Sequence, residues 1–257
     1  MVTFLESFKG NIINSIKANK ALLIDLDGTL VDYVSNENKA LKKLFENLNL
    51  PTELYEQAQE DFEKINSFYW SQFEQKKISI LDVQYKRFED LLEKLHIKAD
   101  PKVLNKTYLD FLVQTTSVEI EIVESLKKLK SLGIKIVIIT NGIHWTQTER
   151  LKNSGLDKII DTFFTSESVG FAKPHPKMFL DSKNYLESIQ CSTNELWVIG
   201  DNIEADIKGA FNVGFNTCWI SKNPTHNIDY SNEKAYPTII ASSFIDFVEF
   251  YQIIKES

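Results

Sequence analysis

Cysteine is scarce in this chain. Cys191 and Cys218 are the only two in 257 residues, and they form no Cys-x-x-Cys pair. A disulfide framework is thereby excluded. A reduced, cytoplasmic setting is expected, with both thiols acting as small inert groups. No apolar run approaches the roughly 20 residues that span a bilayer, so no membrane partner is expected. Basic residues are outnumbered, 29 Lys and Arg against 36 Asp and Glu, for a net charge of −7. That balance argues against a nucleic-acid polymer as partner. Internal repeats and low-complexity tracts are missing. The four histidines, His96, His144, His175 and His226, show no ligand spacing. The N-terminus lacks the uninterrupted apolar stretch of a signal peptide. Its Phe4, Leu5, Phe8, Ile12, Ile13 and Ile16 fall on one helical face instead, which predicts a helical extension over residues 1–20.

What the chain does hold is 43% apolar and 25% charged residues, a composition suited to a soluble protein with a sizeable core. Four short apolar runs read as strands: ALLIDL at 21–26, IKIVIIT at 134–140, LWVIG at 196–200 and NTCWIS at 216–221. The first three are apolar almost throughout, as strands covered on both faces must be. DTFFTS at 161–166 and PTIIA at 237–241 are weaker strand signals. Helical patterns fall between them, at 118–132, 144–154, 176–189, 203–213 and 243–255, with Gly133, Gly155 and Gly214 at helix stops. Alternating strands and helices predict an α/β fold, a doubly wound parallel sheet. The alternation fails once. Residues 34–114 show only helical spacing, with Pro51 and Pro101 near helix starts. This stretch predicts an all-helical domain of about four helices, inserted into a core made of 21–33 and 115–257.

Polar clusters sit where the core strands end, which is where open parallel sheets bind ligands. They are Asp25-Leu26-Asp27-Gly28-Thr29, Thr140-Asn141-Gly142, Lys173 before Pro174, and Gly200-Asp201-Asn202 with Glu204 and Asp206 beyond. Asp25 and Asp27 repel each other, and Asp201 adds a third carboxylate. Oxygen ligands without His or Cys favour a hard ion such as Mg²⁺. Lys173 adds fixed positive charge and the Thr140 hydroxyl a donor. Such a set suits phosphoryl transfer, and a carboxylate can itself serve as nucleophile.

DLDGT, ITNG, the lysine of FAKPHP and GDNIEAD resemble, in order and spacing, the four signature motifs of the haloacid-dehalogenase superfamily. The resemblance covers the whole core and makes the helical insert that superfamily's cap. It implies a phosphatase with Asp25 as nucleophile and Asp27 as acid and base. Thr140, Asn141 and Lys173 would hold the phosphoryl group. Asp25, Asp201 and the main-chain carbonyl of Asp27 would bind Mg²⁺, with Asp206 in support. TNGIHWTQTERLKNSGL and SESVGFAKPHPKMF further resemble the bacterial pyrimidine 5′-nucleotidases, although those often carry DADET where this chain has DLDGT.

The expected partner is a small phosphorylated metabolite, with a pyrimidine nucleoside monophosphate first. Sugar-phosphate or sialic-acid 9-phosphate hydrolysis, a phosphomutase and a non-enzymatic regulator are the competing readings. Arg87 is the substrate-contact candidate of the insert. Tyr69, Trp70, Phe73, Tyr85 and Phe88 serve there as core aromatics or as base-stacking groups. The sequence assigns no oligomeric state.

Overall fold

The runs read as strands do form strands, and the computed structural model stacks them in one seven-stranded sheet of order β1-β7-β6-β5-β2-β3-β4. It describes residues 1–3, 9–222 and 237–257; Phe4, Leu5, Phe8 and His226 lie outside these. In chain order the strands are β1 (Val2–Thr3), β2 (Ala21–Ile24), β3 (Lys135–Thr140), β4 (Thr162–Thr165), β5 (Trp197–Gly200), β6 (Asn216–Ile220) and β7 (Ile239–Ala241). β2 lies between β3 and β5, pairing parallel with both. All four of its residues are buried. The chain winds outward from β2 in both directions, and this places the crevice for ligands at the carboxyl end of β2.

Two features of the sheet depart from expectation. β1 precedes the helical extension and pairs antiparallel with β7, Val2 opposite Ala241. Two residues are too few to carry a period, so no sequence pattern marks it. The second departure follows β5. Residues 203–213 make a π-helix, Ile203–Lys208, and then one short α-helix, α10 (Gly209–Asn212). The Asn202 side chain caps the π-helix, accepting from the Glu204 and Ala205 N–H groups at 3.1 and 2.9 Å.

The α/β unit comprises the described residues of Met1–Asp32, Val118–Gly142 and Ser154–Ser257. Its helices are α1 (Lys9–Ala18), α6 (Ile120–Ser131), α8 (Ser166–Val169), α9 (Pro176–Ser188), α10 and α11 (Phe244–Glu256). Ile12 and Ile16 of α1 are buried, as the amphipathic pattern required, and Ile13 is half-buried. Gly133, Gly155 and Gly214 follow helices with φ of 74°, 72° and 83°, the left-handed backbone that ends a helix.

The second unit comprises Tyr33–Ser117 and Ile143–Asn153. It holds α2 (Tyr33–Asn47), α3 (Tyr55–Glu74), α4 (Ile80–Lys94), α5 (Pro101–Thr115) and most of α7 (His144–Ser154). Pattern explains the ends: Ser79 and Asp82 form a capping box for α4, and Asp100 caps α5 with Pro101 in its first turn. Apolar residues of α2 to α5, among them Leu41, Phe45, Phe62, Leu91 and Tyr108, make one core that Ile143 joins. Arg150 of α7 donates to Thr116 Oγ1 at 2.9 Å. α7 therefore packs with these helices, although its sequence position suggested the sheet.

Arg87 is not the surface group that substrate contact needs. It is 1% exposed, donating to Asn66 Oδ1 at 2.8 Å and Asn105 Oδ1 at 3.0 Å. Its guanidinium lies 5.0 to 5.7 Å from the ring centres of Phe62, Phe88 and Tyr108. Asn66 passes the network on to the Glu37 carboxylate, which also accepts from the Tyr33 and Tyr108 hydroxyls. Of the aromatics, Phe88 and Tyr69 are buried, while Trp70, Phe73 and Tyr85 are half-buried.

Asp161, ahead of β4, braces the α/β unit. It accepts from Lys130 Nζ, from Lys135 Nζ at 2.9 Å and from the Ile136 N–H at 2.9 Å. Burial alone would raise its pKa. The Lys130 hydrogen bond, helped by Ile136 and Lys135, outweighs burial and holds the carboxyl below its usual range. A depressed acid contributes stability above its unfolded pKa of about 3.9, and that contribution is lost as pH falls through the folded value. Asp161→Asn is expected to cost about 1 kcal/mol at pH 7, because the lysines are partly exposed. Urea denaturation of both forms from pH 7 to pH 3 should show the gap narrowing as pH falls below about 4; a gap that stays constant over this range would exclude the charge as its source.

Candidate active site

The carboxyl end of β2 delivers Asp25 into the interior, where it is 6% exposed. Its Oδ1 meets Lys173 Nζ at 2.6 Å. Lys173, 2% exposed, also donates to Asp206 Oδ1 at 2.6 Å and to the Ile139 carbonyl at 2.8 Å. An ammonium has three N–H bonds, and all three are engaged. Asp206 is 1% exposed and accepts at its other oxygen from the Asn202 N–H at 3.1 Å. Thr29 Oγ1 stands 3.2 Å from Asp25 Oδ2 and 3.4 Å from Asp201 Oδ1. Carboxylate oxygens of Asp25, Asp201 and Asp206 all lie within 4.8 Å of one another.

Two glycines make this crowding possible. Gly28 has φ 94°, and a Cβ there would fall 2.2 Å from Asp201 Oδ2. A Cβ on Gly200 would fall 2.5 Å from that of Asp206. No side chain fits at either position, so each carboxylate packs against bare backbone.

Electrostatics follow from the burial. Desolvation raises the Asp25 pKa well above the carboxylate range; Lys173 opposes this, while Asp206 and Asp201 add to it. Lys173 would be depressed by burial, but the charges of Asp206 and Asp25 leave it raised and firmly protonated. Asp201 has exposed surface, yet the protein packed round its carboxyl and the Asp206 charge push it up to about 6. The site carries more negative charge than one lysine balances.

Most of the residues chosen from sequence meet here. Asp25, Lys173, Asp201 and Asp206 form one cluster. Thr140, 2% exposed, ends β3 beside them, since β3 is the neighbour of β2. Asp27 is half-buried next to the turn at Gly28, and its carboxylate is outside the cluster of three. Asn141, expected to hold phosphate, has its side-chain amide on the lysine loop. Its Oδ1 accepts from the Lys173 N–H at 2.7 Å and its Nδ2 donates to the Lys173 carbonyl at 2.9 Å. The amide thus pairs with the main chain of the lysine loop. Sequence reading passed over the Thr29 hydroxyl, although it stands within DLDGT, and over the Ile139 carbonyl, which no side-chain pattern reveals.

Comparison with known proteins agrees with this geometry. The model of the haloacid dehalogenase-like hydrolases matches residues 19–214, and the chain belongs to that family. It is 34% identical over 215 residues to YfnB of Bacillus subtilis, spanning 83% of this chain and 88% of YfnB. The magnesium-bound crystal structure of YfnB matches with a TM-score of 0.77 at 31% identity, over 93% of this chain and 99% of that one. The pyrimidine 5′-nucleotidase PynA of Streptococcus pneumoniae is 30% identical over 231 residues, 90% of this chain and 94% of PynA. The glyceraldehyde 3-phosphate phosphatase of Methanocaldococcus jannaschii is 28% identical over 240 residues, 90% of this chain and 97% of that protein. The protein is a hydrolase on an α/β fold of this family.

Because Asn141 holds the lysine through two hydrogen bonds, Asn141→Ala should lower kcat/KM by about 10- to 100-fold, the cost of misplacing one active-site group by about an ångström. Circular dichroism and steady-state kinetics of the variant check this. Unchanged kinetics in a folded variant would show that the amide is dispensable.

Proposed function

We propose that this hydrolase is a Mg²⁺-dependent phosphomonoesterase acting on a small phosphorylated metabolite, with Asp25 as its nucleophile. The observation that carries the reading is the buried lysine set between Asp25 and Asp206, with Asp201 beside them. The donor set fits Mg²⁺. It offers oxygen ligands without His or Cys, and burial and mutual repulsion raise Asp25 and Asp201, a load that a hard cation relieves. Both oxygens of Asp206 already accept hydrogen bonds. By the family resemblance, Asp25, Asp201 and the main-chain carbonyl of Asp27 would hold the ion, with Asp206 in support. When bound, Mg²⁺ supplies positive charge that offsets the carboxylates and the transferring phosphoryl oxygens.

The chain's own residues divide the chemistry. Lys173 opposes the rise that burial imposes on the Asp25 pKa and so favours its ionised form. A carboxylate oxygen of Asp25 bonds to phosphorus as the bond to the leaving oxygen breaks, and Asp27 gives that oxygen its proton. Asp27 then takes a proton from a water molecule whose oxygen bonds to phosphorus. The bond from Asp25 to phosphorus breaks, inorganic phosphate leaves and Asp25 is restored. Thr140 donates its hydroxyl to the phosphoryl oxygens, and Lys173 holds Asp25 in line.

For the substrate we favour a pyrimidine nucleoside 5′-monophosphate. Support comes from the nucleotidase relative at 30% identity. Arg87, enclosed as it is, gives no support. The relative that hydrolyses glyceraldehyde 3-phosphate favours a second reading, a sugar-phosphate phosphatase.

Asp25→Asn should retain less than a few per cent of activity, a loss above about 2 kcal/mol in barrier terms. Asp27→Asn should hurt alkyl phosphates at least tenfold more than p-nitrophenyl phosphate, whose leaving group departs without a proton. Chelation should silence the wild type. An Asp25→Asn enzyme with near-normal turnover, or equal Asp27→Asn losses on both esters, would sink the assignment. On substrates, kcat/KM for dUMP or dTMP should exceed that for glyceraldehyde 3-phosphate, glucose 6-phosphate and sialic-acid 9-phosphate. A tenfold preference for any sugar phosphate, about 1.4 kcal/mol, would favour the second reading.

A further inference from the structure

Trp219 sits on β6 directly opposite Gly200 of β5, one residue before Asp201. Its indole Nε1 donates to the main-chain carbonyl of Asp201 at 2.8 Å. The ring is 5% exposed and packs with Ile203, Ile207 and Ile240. Asp201 itself has exposed surface. A residue at the edge of the site is thus tied through its own backbone to a donor fixed in the core. On its other side, the lack of a Cβ at Gly28 lets Asp201 Oδ2 approach the β2 turn.

We infer that Trp219 is a positioning residue for the divalent cation: its indole N–H fixes the Asp201 main chain, and so sets where that carboxylate meets the ion. The inference rests on the metal reading above. It makes Trp219 a sensor as well, because charge drawn onto the Asp201 carboxylate alters the peptide group to which the indole is bonded. Trp197 supplies an internal control. Its indole N–H goes to Ser15 Oγ at 3.0 Å, on a helix that precedes β2.

The test uses Mg²⁺ alone on the full chain. Titration calorimetry of the wild type measures binding directly, and Trp219→Phe, which keeps an aromatic ring and removes the donor, should weaken it about 2- to 10-fold, the worth of one hydrogen bond. In parallel, the indole ¹H–¹⁵N resonances of the wild type, assigned by through-bond correlation, are followed with added Mg²⁺. The Trp219 signal should shift with the calorimetric affinity while that of Trp197 stays in place. This second measurement needs no variant, so it decides the matter even where Trp219→Phe does not fold. A wild type that binds no Mg²⁺ would overturn the metal reading and this inference with it. Mg²⁺ binding with a stationary Trp219 signal, or with equal affinity in a folded Trp219→Phe, would overturn this inference alone.

Discussion

The buried ammonium of Lys173 is the group on which the α/β unit's active end depends. It is almost wholly withdrawn from water and replaces that water with two carboxylates and one carbonyl. Such an arrangement is weak evidence for stability, since desolvation offsets most of the attraction, but removing one partner leaves a buried charge unmatched at about 3–5 kcal/mol. The triad therefore fixes relative positions. It ties the end of β2 to the turn after β5 and to the last residues of β3. The remaining negative charge makes the site one that a cation stabilises, and a ligand that binds only the folded state raises its stability.

The helical unit handles buried charge by other means. Arg87 meets two side-chain amides and three aromatic faces, and Glu37 is satisfied through hydroxyls and an amide. Neutral partners of this kind hold an ion without a short, rigid ion pair. The network links α2, α3, α4 and α5, so it specifies how four amphipathic helices sit against one another where apolar contact alone would permit sliding.

How much of this the sequence disclosed depended on the range of the interaction. Strands β2, β3 and β5 announced themselves because burial on both faces demands continuous apolar residues. Asp25 and Asp201 were legible because each follows a strand directly, Thr140 because it ends one, and Lys173 by its place in the order of motifs after β4. What escaped notice was set by distant partners. β1 is two residues long and owes its conformation to β7. α7 follows a core strand but takes its partners from the helical unit, through Ile143 and Arg150. An arginine among aromatics has the same local pattern whether it faces solvent or a core, and only the positions of Asn66 and Asn105, 21 and 18 residues away, decide for Arg87. The side-chain partner of Asn141 is distant in the same way, a stretch of main chain 32 residues on.

That last contact has a consequence for how the site tolerates change. Asn141 grips the N–H and the carbonyl of Lys173, groups that every residue type except proline presents alike. The grip is therefore indifferent to the side chains of the loop around the lysine. An exposed neighbour such as Phe171 can drift in sequence while the ammonium stays at its height above the sheet. Support and chemistry are separately mutable here, which leaves the rim of the site open to respecialisation around an unchanging lysine.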